Sequence, residues 1–263
     1  MKDAVVRWWV YSVIAIAGAG AGVGGLQAQT PTKLLVRVVA NDAKIIGSGV
    51  GGATVTIRDA VTGQVLALGK QEGSTGDTRH IMTEPRVRGG TVYHTEGAAG
   101  FLATLELDEP TLVDISAEGP LGTPHARQRA SKTMLLVPGK DVLGEGVILE
   151  LMGFTVVLES PSDTGSVKAR QAFEIRASVT MLCGCPTEPG GLWNADDIEI
   201  VAVMKRSTHV LSTVPLTYSG KRNTYHATVT VDQPGPILIQ VLAMDPAKAN
   251  FGMATRTLDV LPR

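Results

Sequence analysis

The chain has 263 residues, with 24 Lys and Arg against 25 Asp and Glu, and 44% of its residues are hydrophobic. A nearly neutral chain of this hydrophobic content is neither disordered nor collagen-like, and no basic excess points to nucleic-acid binding. The 30 Gly, 14 Pro and 4% aromatic residues favour many short elements joined by tight turns. We therefore predict an all-β protein with two tandem β-sandwich domains after a cleavable signal peptide.

The first 28 residues are typical of a cleavable secretory signal peptide. Lys2 and Arg7 give a short basic start, residues 8–16 are apolar, and a run of small residues continues to Ala28. Alanine suits the last position before a cleavage site, and the Gly-rich second half of the segment makes a poor membrane helix. We therefore predict export to the periplasm or the extracellular space, with no membrane span in the mature chain.

After the signal peptide, short β-branched runs alternate with Gly, Pro and Asp, and no long segment keeps the 3.6-residue period of a helix. Ala53, Val55 and Ile57 fall on one face of a predicted strand and the threonines on the other, as a sheet with one wet face requires. Strands are predicted in the first half over residues 34–39, 53–58, 64–68, 101–107, 112–117, 133–137 and 147–151.

A long polar segment, residues 69–100, separates two of these strands and is rich in glycine. Loops of this length are commonly functional or disordered, and a polar loop on a rigid sandwich is a common way to present a binding site. Arg86 and Arg88 could grip a carboxylate or a sulfate, and together with Tyr93 they are predicted to bind the partner. The alternative is a solvated hairpin insertion.

The second half resumes after Gly153 with strands at the density of a sandwich. These strands are predicted over residues 154–158, 173–181, 198–204, 214–217, 225–231, 237–244 and 255–261. We place the domain boundary between Met152 and Gly153, which gives a first domain of residues 29–152 and a second of residues 153–263. Because no flexible linker separates the two, we expect them to pack rigidly against each other.

Two stretches are similar to known families. A turn-and-strand pattern in the first half occupies residues 49–57, 62–63, 65–67 and 100–103. This pattern resembles the carboxypeptidase-regulatory-like, or transthyretin-like, domain of bacterial secreted proteins. Residues 234–245, followed by residues 250–252 and a final strand, are similar to the closing hairpin of a bacterial immunoglobulin-like domain. The two resemblances imply small β-sandwiches and imply no particular activity.

The two cysteines, Cys183 and Cys185, stand one residue apart and continue the core-facing row of a predicted strand. In a fully extended strand their Cα atoms would lie about 6.6 Å apart, near the outer limit for a disulfide. Gly184 allows a bend and Pro186 ends regular pairing, so the pair could instead close a small loop. A structural disulfide or inert thiols, a bound soft metal ion, and thiol redox exchange are the three alternatives.

Met181 lies on the same strand face as the two cysteines and would be a third ligand if they bind a metal ion. Two thiolates and a thioether are ligands that select Cu(I), and His226 or Met204 from neighbouring strands could complete the site. On this alternative the metal ligands are Met181, Cys183 and Cys185, and the cofactor is copper. Otherwise we predict no cofactor.

Residues 186–197 follow the cysteines and present Leu192 and Trp193 after a Pro-Gly-Gly turn. An exposed tryptophan at this place would anchor a sugar face or a protein partner, and a buried one would cap the sandwich. Trp193 completes the set of predicted partner-binding residues.

The sequence carries no recognisable catalytic motif. Residues 47–52 match GxGxxG but lead into a strand, GxSxG is absent, and the five histidines never form HxH or HExxH. We therefore predict no catalytic residues and an exported, non-enzymatic binding or structural adaptor protein whose loops contact a protein or glycan partner. The alternatives are a periplasmic Cu(I)-handling protein and an enzyme whose site is assembled from distant residues around His80 or His94.

Overall fold

The computed structural model describes residues 29–162 and 165–263, so the predicted signal peptide lies outside the described residues. Almost all of the regular secondary structure in the described part of the chain is β-strand, which confirms the predicted all-β class. Its one α-helix, α1 (Thr78–Met82), has five residues. No helix within residues 29–162 and 165–263 has both the length and the apolar character needed to cross a membrane.

Seven strands form two sheets in the first half. They are β1 (Thr30–Ala40), β2 (Ala53–Asp59), β3 (Val65–Gln71), β4 (Phe101–Leu107), β5 (Thr111–Gly119), β6 (Gln128–Leu136) and β7 (Val142–Leu151). One sheet has the order β4-β1-β7, in which β1 is antiparallel to β4 and parallel to β7. The other is antiparallel and has the order β3-β2-β5-β6.

The second half also forms two sheets. Its strands are β8 (Phe154–Ser160), β9 (Ser166–Lys168), β10 (Phe173–Met181), β11 (Glu199–Arg206), β12 (His209–Pro215), β13 (Thr217–Tyr218), β14 (Thr224–Val229), β15 (Gly235–Asp245) and β16 (Asn250–Leu261). The sheet orders are β13-β14-β10-β8 and β12-β11-β15-β16-β9. All neighbouring strands are antiparallel except β9, which lies parallel to the end of β16. The chain is therefore a tandem of two β-sandwiches, as predicted.

The sandwiches form because their strands bury alternate residues. In β2, Ala53, Val55 and Ile57 have no exposed surface, while the residues between them are partly exposed. In β10 and β15 the same alternation holds over most of the strand. The inward-facing side chains of both halves belong to one continuous hydrophobic core. Burial of this apolar surface is the main stabilising contribution to the fold.

The two halves meet in a packed junction. No strand of the first half pairs with a described strand of the second. The domain boundary between Met152 and Gly153 stays a prediction. Asn250 is completely buried at this junction, and its side-chain oxygen accepts a hydrogen bond from the Gly153 N–H at 2.7 Å. On another side of the junction, His125 Nε2 donates to the carbonyl oxygen of Val156 at 2.7 Å.

Candidate functional site

Residues 72–100, which we call the loop lobe, form a folded unit on the first sandwich. Single β-bridges join Glu72 to Gly100 and Ser74 to Ala98, and α1 lies between them in the chain. A second, small hydrophobic cluster lies beneath the lobe and consists of Val39, Ile45, Ile81, Tyr93 and Ala99. The lobe is therefore packed on the sheet and differs from the solvated hairpin that was its alternative interpretation.

Arg37 of β1 holds one side of the loop lobe and is only 5% exposed. Its Nη1 donates to the carbonyl oxygens of Ala98 and Ala99 at 3.1 and 2.7 Å, and its Nη2 donates to Nδ1 of His94 at 3.3 Å. Burial lowers the pKa of Arg37, and the negative charge of Glu145 opposes that shift. Since Arg37 can only donate, His94 Nδ1 must be an unprotonated acceptor in this contact.

Glu145 of β7 holds the other side of the loop lobe. Its two carboxylate oxygens accept hydrogen bonds from the backbone N–H groups of Val92, Tyr93 and His94, at distances of 2.9 to 3.0 Å. Three consecutive backbone donors on one carboxylate fix the direction of the chain at this point, because charge-assisted bonds of this kind are strong. The lobe is thus held by side chains of two strands that lie outside it.

His80 of α1 closes the lobe onto itself. Its Nδ1 lies 2.7 Å from a carboxylate oxygen of Glu84 and its Nε2 lies 3.0 Å from the carbonyl oxygen of Thr91. Both partners are acceptors, so the ring satisfies them fully only when both nitrogens are protonated. The bond to Glu84 is the main cause that raises the pKa of His80. In that doubly protonated state the ring can donate a proton but cannot accept one.

The four predicted partner-binding residues do not form one site. Arg86 and Arg88 are exposed, whereas Tyr93 and Trp193 are 8% and 7% exposed. Of the two alternatives for Trp193, the buried one agrees with the structure, because the indole lies in the core at the junction and its N–H donates to the carbonyl oxygen of Asp42 at 2.9 Å. Tyr93 belongs to the cluster beneath the lobe, where burial raises its pKa and the positive charge of the nearby Arg86 opposes that shift.

A hollow of about 280 Å³ opens on the loop lobe beside Arg86 and is lined also by His80, Glu84, Thr91 and Val92. Three arginines and one glutamate lie within residues 78–94, so this surface is positive even before His80 is counted. The Glu84 carboxylate already bonds to His80 and forms an ion pair with Arg79 at 3.3 Å. Among the described residues, Arg86 and Arg88 have no carboxylate partner. Both cations are therefore open to an anionic group.

The cysteine pair of the second half forms a tight turn. Cys183 and Cys185 are joined as a disulfide, with Cα atoms 5.5 Å apart, and both side chains are buried. Gly184 has a φ of +80°, and its N–H donates to the carbonyl oxygen of Met181 at 2.8 Å. This bend brings the cysteines closer than an extended strand would allow, which agrees with the structural-disulfide alternative.

Copper binding by Met181, Cys183 and Cys185 stays a prediction. Met181 is buried beside the turn, but both sulfurs of the pair are used in their mutual bond, so Cu(I) would need the reduced thiols. Within residues 29–162 and 165–263, no three His, Cys, Asp or Glu side chains are grouped as metal ligands would be.

No protein-family model matches the sequence, and no curated protein sequence matches it significantly. The fibronectin(III)-like modules of Clostridium thermocellum CbhA align with 88% of this chain and 94% of theirs, at 11% identity and a TM-score of 0.30. The titin domains z1z2, solved with telethonin, align with 90% and 98%, at 14% identity and a TM-score of 0.25. The ICAM-5 D1-D4 ectodomain fragment aligns with 89% of this chain, at 13% identity and a TM-score of 0.29. This chain spans 50% of that fragment.

Identities and TM-scores this low carry no argument about function. The tandem β-sandwich fold is therefore assigned from the strand pairing of this chain alone. The resemblance of the first half to a transthyretin-like domain is not confirmed by any of these comparisons, and it stays a prediction.

Arg37 and Glu145, which hold the loop lobe, were not predicted from the sequence. Arg37 carries the only available signal, because it is the one charged residue in the otherwise apolar run of residues 34–40. Glu145 lies between two glycines and has no pattern of its own. Its role depends on a contact with residues about 50 positions away in the chain, at separations of 51 to 53.

Proposed function

We propose that this protein is an exported, non-enzymatic binding or structural adaptor, and that the loop lobe is its recognition surface. Arg86 and Arg88 are the residues that would contact the partner. The partner group is an anion, either a carboxylate or a sulfate, carried by a protein or a glycan. Tyr93 would act from beneath, where it is buried in the hydrophobic cluster and interacts with the charge of Arg86.

The observation that supports this proposal most strongly is the combination of a fixed lobe and unpaired cations. Arg37 and Glu145 bind the lobe at seven hydrogen-bond contacts, three of them with backbone carbonyl or ring acceptors and four with backbone N–H groups. A surface that is ordered before binding loses less conformational entropy when a partner arrives. Arginine forks match the geometry of carboxylate and sulfate oxygens, which favours an anionic partner over a neutral one.

The proposal is tested by binding of the exported protein to immobilised heparin and poly-L-glutamate, with neutral dextran as the reference surface. We expect binding to one or both anionic polymers, and at least a tenfold weaker affinity for the double variant Arg86→Gln, Arg88→Gln, because each charge-assisted bond contributes roughly 1.5–3 kcal/mol. The matched control is Arg129→Gln, Lys132→Gln, which removes two exposed cations of β6 and the same net charge.

Two results would contradict the proposal. The first is no binding to either polymer at low salt, where electrostatic attraction is strongest. The second is an equal loss of affinity in the β6 control variant, which would show that total charge rather than the loop lobe determines binding.

A further inference from the structure

A second hollow, separate from the loop lobe, lies on the side of the second sandwich. Its volume is about 280 Å³, and it opens between the edge strand β12 and the turn that follows β14. The lining includes Met204, Arg206, Leu211, Ser212, Val231 and Asp232. All of these residues belong to the second half, so this hollow can be tested independently of the proposed function.

Two polar atoms in the lining are buried and have no hydrogen-bond partner among the described residues. They are Nε of Arg206 and Oγ of Ser212. The other guanidinium nitrogens of Arg206 are used, since Nη1 and Nη2 donate to the side-chain and backbone oxygens of Gln233 at 3.2 and 2.7 Å. A buried hydrogen-bond donor without an acceptor destabilises the fold. Two such donors in one lining therefore indicate that an acceptor is missing.

A β-bulge places these atoms beside the hollow. Met204 pairs with Ser212 and Lys205 with Val210, so Leu211 is the extra residue of β12. Bulges re-aim side chains and are frequent at the edges of sheets and next to functional sites. Here the bulge leaves Ser212 on the side of the buried Met204, and Leu211 remains 44% exposed at the rim.

We propose that this hollow binds a small monocarboxylate with an apolar body. Both atoms have almost no accessible surface, so side chains of the lining must shift before a carboxylate can accept from the Nε–H of Arg206 and the hydroxyl of Ser212. The apolar body packs on Met204, Leu211 and Val231. Asp232 in the same lining repels negative charge, and the single Arg206 cation offsets one carboxylate, which favours a ligand with one carboxylate over a ligand with two.

The charge of Arg206 supports an anionic ligand over a neutral one. Within residues 29–162 and 165–263 the Arg206 guanidinium has no carboxylate partner, because both of its bonds go to the neutral Gln233. A partly buried guanidinium whose two hydrogen bonds go to a neutral residue gains from an ionised ligand.

A carboxylate of this kind occurs in free acids and at the C-terminus of a peptide. Titration calorimetry with 4-methylpentanoate tests the free acid, and titration with N-acetyl-glycyl-leucine tests the peptide terminus. N-acetyl-glycyl-leucinamide, which has no carboxylate, is the ligand control. We expect at least one acid to bind and the amide not to bind.

The variant Ser212→Ala removes one of the two donors, and with it one of the two unpaired buried atoms, so its thermal stability should equal or exceed that of the wild type. We expect its affinity for the acid to fall about tenfold, and that of Arg206→Lys to fall at least as far. The control variant Ser219→Ala, Arg222→Lys alters exposed residues of the same half and should bind normally.

The proposal is overturned if neither acid binds more tightly than a Kd of about 1 mM. It is equally overturned if the amide binds as well as the acid, or if Ser212→Ala folds normally and keeps the wild-type affinity.

Discussion

Gln71, the last residue of β3, shows how a single polar side chain fixes the start of the loop lobe. It has no exposed surface. Its amide nitrogen donates to the carbonyl oxygens of Val38 and Ile46 at 2.8 and 2.9 Å, and its amide oxygen accepts from the Val38 N–H at 2.7 Å. The amide therefore replaces strand pairing between β1 and the end of β3 where the chain leaves the sheet.

Replacing Gln71 with leucine should destabilise the protein substantially. The Val38 N–H and the Ile46 carbonyl lose the amide, and each orphaned buried group costs roughly 1–3 kcal/mol. We expect the free energy of unfolding in urea to fall by at least about 2 kcal/mol. The exposed Gln64→Leu is the control and should change it by less than about 0.5 kcal/mol. A fall for Gln71→Leu as small as that of the control would show that the amide bonds do not hold this position.

For single residues, the sequence predicts exposure to solvent better than it predicts which residues are in contact. Arg86 and Arg88 lie in a glycine-rich polar run, and they are exposed as that run suggests. Arg37 and Gln71 bond to groups 61 and 33 residues away. Such contacts follow from how strands are arranged in space, so no local pattern could reveal them. Trp193 is buried for the same reason, because its partner Asp42 belongs to the other half.

At the scale of elements, alternation of apolar and polar residues predicted the long strands well. β4 and β10 have the predicted bounds, because each keeps a strict period of two. β9 and α1 were not predicted, since three and five residues are too few to show any period. The first residues of β12 were also missed, and there the bulge at Leu211 interrupts the alternation.

The helix α1 and the chain after it should respond to pH through His80. The folded-state pKa of His80 is raised above its ordinary value of 6.5, first by Glu84 and then by the Thr91 carbonyl and the charges of Glu84 and Asp77. A raised pKa means that the stabilisation is complete below about pH 6.5 and is lost as the pH rises through the raised value. The loop lobe should therefore be more ordered in mildly acidic than in alkaline solution.

Amide hydrogen exchange of residues 84–94, corrected for intrinsic rates, measures this effect. We expect lower protection at about pH 8.5 than at about pH 5.5 in the wild type. The variant His80→Gln has no titrating group at this place and should show protection that does not change with pH. A wild-type profile as flat as that of the variant would contradict the role assigned to His80.

At the scale of the whole molecule, the junction makes the two sandwiches depend on each other. Asn250 accepts from the Gly153 N–H and from the side chain of Asn41, which in turn donates to the carbonyl oxygen of Lys248. Lys248 forms an ion pair with Asp42 at 2.8 Å, and this bond raises the pKa of Lys248. With a core continuous across both halves, we expect a single cooperative unfolding transition.

The variant Asn250→Ala tests this dependence. It leaves the buried Gly153 N–H without an acceptor, so the free energy of unfolding should fall by about 1–3 kcal/mol. Differential scanning calorimetry should show a lower Tm for the whole transition, because both halves lose the same support. The control Thr257→Ala changes an exposed residue of β16 and should leave the Tm almost unchanged. Two separate transitions in the wild type would show that the halves unfold independently.

The parallel pairing of β1 with β7 has a mechanical consequence. The chain enters the first sandwich at the start of β1 and leaves it at the end of β7, and these two strands are direct neighbours that point the same way. Tension between the two ends would therefore slide the strands along each other and load the hydrogen bonds of their regular stretch, residues 36–40 with residues 147–151, together rather than one at a time. The first sandwich should therefore resist tension between its ends more strongly than tension applied across its sheets.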